Sequence, residues 1–233
     1  MNDRERLIVA LDVSSSAAAR QIVSAVGESA SLYKVGMQLY TAEGPQVVRD
    51  LVAAGRKVFL DLKYHDIPNT VASAVKEAVA LKVSMLTVHA GGGSKMLKAA
   101  ADAARSNPDL IILAVTVLTS MDGPDLSEIG LPSDVFAQVS RLATLAVKAG
   151  CKGIVSSAKE VAELRRQLGP DVALVTPGVR PAGASHGDQA RVVTPAQAIA
   201  SGASHIVVGR PITEAADPAA AARAIVEEMT VAA

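Results

Sequence analysis

The chain has 233 residues, a length that fits one large domain or two small ones. Half of its residues are hydrophobic and only 2% are aromatic, so a sizeable core must be built mainly from Val, Leu, Ile and Ala. The 23 Lys and Arg residues balance 23 Asp and Glu residues, which excludes a global field that would attract nucleic acid or an acidic membrane surface.

The N-terminus and the cysteine content favour a cytoplasmic protein. Residues 1–6 are polar and charged, and Asp12 interrupts the apolar run after them, which is not the pattern of a signal peptide. No stretch reaches the roughly 18 apolar residues of a membrane span. The single cysteine, Cys151, cannot form an internal disulfide, as is usual in a reducing compartment. We expect no nucleic-acid partner and no membrane association.

Short apolar runs of the kind that form buried β-strands recur along the chain. They span residues 7–11, 32–35, 57–62, 85–88, 110–117, 153–155, 172–175 and 205–208. Ala-rich segments with helical spacing separate them, at 17–26, 45–54, 68–81, 95–105, 135–149, 158–168, 195–201 and 218–229. This alternation predicts an α/β protein, a (β/α)8 TIM barrel formed by a single domain over residues 1–233, although an open doubly wound sheet would show the same alternation.

Local signals refine the predicted helices. Prolines suit the first helical turn at positions 45, 68, 195 and 218, while Gly55 and Gly150 suit C-terminal caps. Residues 91–93 are three glycines that we interpret as a turn entering a helix. The polar residues 121–133 are predicted to form a loop insertion after the fifth strand.

Charged residues stand at the ends of the first three predicted strands. Side chains alternate along a strand, so Asp61 and Lys63 share one face, which can point inward at the rim where barrel active sites form. Lys34 interrupts the second strand, and Asp12 follows the first. Because buried charges are rare without partners, we expect these four side chains to meet at the barrel mouth. Unrelated salt bridges on the rim are the alternative.

The end of the eighth predicted strand is a candidate phosphate site. Loops after strands seven and eight of barrels often bind phosphate through backbone N–H groups. Gly209 allows close backbone approach, and Arg210 can bind phosphate with a fork of donors. Residues 181–188, which follow strand seven, are small or polar and are expected to form a mobile lid; an ordinary surface loop is the alternative.

Three other residues with reactive side chains are assigned structural roles. We expect His89 to be a hydrogen-bonded histidine at the rim rather than a catalyst, and His65 to serve the turn beside it. Cys151 is expected to be a buried small residue rather than a nucleophile. Without a Cys/His cluster, the sequence does not predict a zinc site.

Residues 61–70, DLKYHDIPNT, resemble the signature of the orotidine 5'-monophosphate decarboxylase family. Other segments are similar to that family in the same order: LD at 11–12, KVG at 34–36, VLTS at 117–120, TPGVR at 176–180, DQ at 188–189 and VVGR at 207–210. The resemblance runs from about Leu7 to Glu228 and is to the monofunctional, bacterial type.

The resemblance implies a cofactor-free and metal-free decarboxylase that converts orotidine 5'-monophosphate to UMP in a homodimer with shared active sites. Its implied catalytic residues form an alternating charge network of Lys34, Asp61, Lys63 and Asp66, with Asp66 donated by the second subunit. The implied substrate-binding residues are Asp12 and Lys34 at the ribose, Asp61 beside them, Thr119 at the pyrimidine, Gln189 between pyrimidine and phosphate, Arg180, Gly209 and Arg210 at the phosphate, and Ile67 and Thr70 crossing from the second subunit.

The implied chemistry explains the residue types. Loss of CO2 from C6 of the pyrimidine leaves a carbanion, and the ammonium of Lys63 can stabilise that charge and then supply the proton. Asp61 and Asp66 would keep Lys63 charged and aimed.

Two other functions compete with this interpretation. Magnesium-dependent sugar-phosphate lyases or aldolases of the same superfamily resemble the Asp-x-Lys-x-x-Asp core, but place a glutamate where this chain has Lys34, and an ammonium there would repel the cation. A non-catalytic sensor of phosphate ligands could keep the barrel, yet binding alone does not require Lys63.

Overall fold

Eight parallel strands close into a barrel in the computed structural model, which describes residues 2–181 and 193–230. Each strand pairs with the next along the chain, and the first pairs with the last. The strands are β1 (Leu7–Ala10), β2 (Leu32–Gly36), β3 (Lys57–Tyr64), β4 (Met85–His89), β5 (Ile111–Val115), β6 (Gly153–Val155), β7 (Ala173–Thr176) and β8 (His205–Val208). The predicted (β/α)8 barrel is confirmed, and the closed strand order excludes the open sheet.

Helices connect successive strands and surround the barrel. In the described residues they are α1 (Asp3–Arg6), α2 (Ser16–Val26), α3 (Met37–Glu43), α4 (Gln46–Ala53), α5 (Pro68–Ala80), α6 (Gly93–Ala103), α7 (Gly123–Glu128), α8 (Val135–Lys148), α9 (Val161–Leu168), α10 (Pro195–Ala200), α11 (Arg210–Thr213) and α12 (Pro218–Thr230). Gly55 and Gly150 adopt φ values of 74° and 101°, which L-residues with side chains rarely adopt, as expected of residues that end helices.

The predicted loop over residues 121–133 is wrong in part, because α7 lies inside it. The Asp122 side chain accepts the Asp125 N–H at 3.2 Å, and the Asp125 carboxylate accepts the Asp122 N–H at 2.9 Å. This reciprocal cap satisfies two N–H groups at the helix start. Leu126, only 1% exposed, anchors the helix to the protein.

The core has two layers that follow from strand alternation. One face of the strands packs under the helices, and the other fills the barrel with Ile8, Ala10, Leu32, Phe59, Met85, Leu113, Val175 and Val207. A Cβ atom at Gly153 would lie 2.5 Å from the Leu113 side chain. The missing side chain at this glycine therefore leaves room for Leu113. The barrel interior is therefore filled by side chains.

Cys151 is buried, as predicted, and burial raises the pKa of its thiol to about 12. A thiol with such a pKa is not an active nucleophile at neutral pH. None of the helices in the described residues combines the length and the apolar character needed to cross a membrane.

Candidate active site

A cavity of about 570 Å³ opens where the strands end, on the side of their carboxyl termini. Phe59, one of the residues that fill the barrel, also lines this cavity. The cavity brings together many of the residues singled out in the sequence: Asp12, Lys34, Asp61, Lys63, Thr119, Arg180, Gly209 and Arg210.

Four charged side chains form a connected row in this cavity. The Nζ of Lys34 lies 2.7 Å from Oδ1 of Asp12 and 3.9 Å from Oδ2 of Asp61. Oδ1 of Asp61 in turn accepts a hydrogen bond from Nζ of Lys63 at 2.9 Å. The side chains of Lys34 and Asp61 are only 12% and 15% exposed, so each is largely withdrawn from water and is compensated by its neighbours. Acid and base therefore alternate from the segment after β1 across β2 to β3, and the row is not a set of unrelated salt bridges.

Two arginines give the other part of the cavity a positive character. Arg180 is 6% exposed, its Nη1 donates to the Val179 carbonyl at 3.0 Å, and its backbone N–H donates to the Val193 carbonyl at 3.0 Å. Burial, and secondly the charge of Arg210, lower the pKa of the Arg180 guanidinium. A dianion bound between like charges would relieve their repulsion, so this part of the cavity suits a phosphate group.

The chain matches the model of the orotidine 5'-phosphate decarboxylase / HUMPS family over residues 5–225. It belongs to this family. It is 50% identical to "Orotidine 5'-phosphate decarboxylase" of Moorella thermoacetica, over 98% of this chain and 94% of that protein. It is 55% identical to the protein of the same name from Anaeromyxobacter sp. (strain K), over 97% of this chain and 98% of that one.

A solved structure shows the same fold. The crystal structure of orotidine 5'-phosphate decarboxylase from Lactobacillus acidophilus superposes with a TM-score of 0.86 at 40% identity, covering 97% of this chain and 99% of that one. The family that residues 61–70 resemble is therefore confirmed.

In this member of the decarboxylase / HUMPS family, three predicted site residues are absent from the described lining of the cavity. They are Asp66, Ile67 and Thr70, which are exposed. The Asp66 carboxylate accepts the N–H of Ile67 at 2.6 Å, and Ile67 is 66% exposed although it is apolar. Gln189 and almost all of the predicted lid lie outside the described residues.

Two site residues escaped the sequence analysis. Thr87 is fully buried in β4, where its hydroxyl contacts both Asp61 and the backbone of Lys63. It is a polar residue inside an apolar strand, the same signal that singled out Lys34. A Cβ atom at Gly36 would lie 3.0 Å from Nζ of Lys34, so this glycine leaves space for the ion pair with Asp12. No sequence signal reveals that contact, because it depends on the arrangement of neighbouring strands.

The two histidines near the site contact each other. The rings of His65 and His89 stack with centroids 5.1 Å apart, and Nδ1 of His89 accepts the N–H of Gly91 at 3.2 Å. Burial lowers the pKa of His89, and His65 and Lys63 lower it further. His89 is thus the hydrogen-bonded rim histidine that was predicted, and residues 90–92 form the turn before α6.

The carboxylates of the charged row are candidate ligands for a metal ion. Among the described side chains, no group of three or more His, Cys, Asp or Glu residues is arranged to hold a metal ion. Asp12 and Asp61 both face the ammonium of Lys34. A divalent cation at these carboxylates would have to displace that ammonium, so the residues present do not fit a magnesium site.

Proposed function

We propose that this chain decarboxylates orotidine 5'-monophosphate to UMP in de novo pyrimidine biosynthesis, without a cofactor or metal ion. The observation that carries the proposal is the alternating row from Asp12 to Lys63 at the mouth of the barrel. Relatives that are 50% and 55% identical over nearly the whole chain are named orotidine 5'-phosphate decarboxylase, which supports the same conclusion.

We expect the substrate to lie in the cavity in the following orientation. The phosphate would lie at Arg180, Gly209 and Arg210, where two guanidinium groups line the wall. The ribose hydroxyls would lie at Asp12 and Lys34, and the pyrimidine near Thr119. This orientation places C6 of the ring at Asp61 and Lys63. Binding energy from the distant phosphate would then hold the reacting carbon in place.

Lys63 carries the chemical step in this proposal. The bond between C6 and the carboxylate breaks, CO2 leaves, and the electron pair remains on C6. The fixed ammonium of Lys63 stabilises the developing negative charge and donates a proton to C6, which gives UMP and a neutral amine. Asp61 accepts a hydrogen bond from this ammonium at 2.9 Å and so aims it.

We also propose a homodimer in which Asp66, Ile67 and Thr70 enter the partner's cavity. All three are exposed in the single chain, outside the described lining of its own cavity. A 66% exposed Ile67 next to a carboxylate is the kind of surface that a second subunit would cover. The second subunit would bring Asp66 to the charged row as a further acid. The lid over residues 181–188, with Gln189 after it, stays a prediction.

A cytoplasmic location is likewise a proposal. It is supported by Cys151, the only cysteine of the chain, which is buried with a free thiol.

One assay distinguishes this activity from the magnesium-dependent lyase. Purified protein is mixed with orotidine 5'-monophosphate, and the loss of orotidylate absorbance is followed before and after treatment with a chelator. We expect turnover at the same rate in both cases, since Lys34 occupies the position that a cation would need. A rate that collapses with chelator and returns with added magnesium would contradict the proposal, and so would no turnover at all.

A further inference from the structure

The ladder between β3 and β4 is irregular at the charged row. Leu60 pairs with Leu86, and the next pair is Tyr64 with Val88. Three residues of β3, from Asp61 to Lys63, therefore face the single residue Thr87 of β4. Such a bulge changes the direction of side chains and often lies near active sites.

Lys63 has an unusual backbone at this bulge. Its φ is +51°, a conformation that residues other than glycine rarely adopt, and within the described residues only Lys82 shares it among non-glycines. A conformation of this kind persists only where surrounding contacts hold it.

The hydroxyl of Thr87 supplies those contacts. It accepts the backbone N–H of Lys63 at 2.9 Å and donates to Oδ1 of Asp61 at 3.0 Å. The same Oδ1 accepts the ammonium of Lys63 at 2.9 Å. Lys63 is thus held at its backbone by Thr87 and at its side-chain end by a carboxylate that Thr87 also holds. Thr87 itself is fully buried, so water does not compete for either bond.

We propose that Thr87 is a positioning residue for the decarboxylation, acting through the Lys63 backbone and the Asp61 carboxylate rather than by touching substrate. This inference rests on the proposed function. A hydroxyl can donate one hydrogen bond while accepting another, so both contacts form together. Without the hydroxyl, the Lys63 N–H loses its bond to Thr87, and the ammonium loses its fixed direction toward C6.

Three variants test the proposal. Thr87→Val keeps the shape and removes the hydroxyl, while Thr87→Ser keeps the hydroxyl. Thr116→Val is the matched control: Thr116 is 1% exposed and donates to the Val155 carbonyl at 3.3 Å, away from Asp61 and Lys63. The measurements are kcat, KM, the Kd for UMP by calorimetry and hydrogen exchange at the Lys63 amide. Thr87→Ala replaces Thr87→Val if the latter does not fold.

We expect Thr87→Val to lower kcat by about ten- to a hundredfold, because a charge-assisted hydrogen bond is lost. The Kd for UMP should change by less than about threefold, since ground-state binding does not need the aimed ammonium. The Lys63 amide should exchange faster. Thr87→Ser and Thr116→Val should each keep kcat within about threefold of wild type.

Several results would overturn the proposal. They are an unchanged kcat in Thr87→Val, an equal loss in Thr87→Ser, or a rise in the Kd for UMP as large as the fall in kcat, which would show a general loss of site structure. If wild type itself fails to consume orotidine 5'-monophosphate, the proposed function fails instead. Positioning of Lys63 is then judged by amide exchange in Thr87→Val, where protection equal to wild type contradicts it.

Discussion

At the scale of single residues, the site depends on charges that compensate one another. Lys34 is 12% exposed and faces Asp12 and Asp61, so its desolvation is offset by two carboxylates. Arg180 has no such carboxylate among its described contacts; burial and the neighbouring Arg210 both lower the pKa of its guanidinium. The row of paired charges is therefore balanced without ligand, whereas an anion bound beside Arg180 would offset the burial and the repulsion that disfavour its charge.

Arg210 should contribute to phosphate binding and not to the chemical step. In the proposed orientation it binds the phosphate and does not reach C6, so Arg210→Ala should weaken substrate use without changing the reacting centre. A hydrogen bond to a charged group is worth roughly 1.5–3 kcal/mol, which corresponds to about a tenfold to hundredfold loss in kcat/KM.

Orotidine without its phosphate is the control substrate for Arg210→Ala. Its kcat/KM should hardly change, because the lost contact was to the phosphate. An equal penalty with both substrates would show that Arg210 does not bind the phosphate.

At the scale of helices and strands, the sequence located all eight strands but not every boundary. β3 continues to Tyr64, two residues beyond the predicted end, because Tyr64 resumes pairing with Val88 after the bulge. That pairing depends on β4 and is invisible in the residues of β3 alone. Helix α7 was missed although Asp122 and Asp125 have the spacing of a reciprocal cap, since the polar composition around them was interpreted as a loop.

β8 begins at a buried histidine whose titration should affect stability. His205 is 6% exposed, and its Nδ1 has no hydrogen-bond partner among the described residues. Burial, then Arg6 and Lys57, lower its pKa from 6.5 to about 4, against a smaller opposing effect of Glu5. The unfolded chain therefore binds this proton more readily than the folded one. The contribution of His205 to the free energy of unfolding is fully present above about pH 6.5 and is lost as pH falls toward 4.

We expect His205→Gln to flatten this pH dependence. Between pH 6.5 and 4, wild type should lose roughly 3 kcal/mol more free energy of unfolding than the variant, as a shift of this size implies. Chemical denaturation at a series of pH values measures the difference. Parallel curves for the two proteins would show that His205 does not titrate in this way.

At the scale of the whole molecule, the closed barrel assembles the site. Strands β1, β2 and β3 lie side by side and bring Asp12, Lys34 and Asp61 together. Closure of β8 onto β1 adds Gly209 and Arg210 to the same cavity. The meeting of Asp12, Lys34 and Asp61 could be predicted because charges at the ends of buried strands need partners. The contacts of Thr87 and Gly36 could not, because they follow from how neighbouring strands are aligned. The pattern of strands does not reveal a partner chain. The proposal that Asp66 enters the partner's cavity therefore rests on the resemblance and on the exposure of Asp66.

Shared active sites predict complementation between two inactive variants, Lys63→Ala and Asp66→Asn. In a mixed dimer, one site receives both defects and the other receives neither. Under conditions that exchange subunits, half of the dimers are mixed and half of their sites are intact, so activity should rise to about a quarter of wild type. If subunit exchange is shown independently and activity stays at the level of the separate variants, Asp66 acts within its own chain.

The kinetics of Lys63→Ala test whether Lys63 carries the decarboxylation. Lys82→Ala is the matched control, because Lys82 is an exposed lysine with a similar φ of 57° outside the cavity. Lys63→Ala should fold, bind UMP with less than about a tenfold change in Kd, and lose on the order of a thousandfold or more in kcat. Lys82→Ala should keep the wild-type kcat. A folded Lys63→Ala protein with near-normal kcat would show that Lys63 does not carry the decarboxylation.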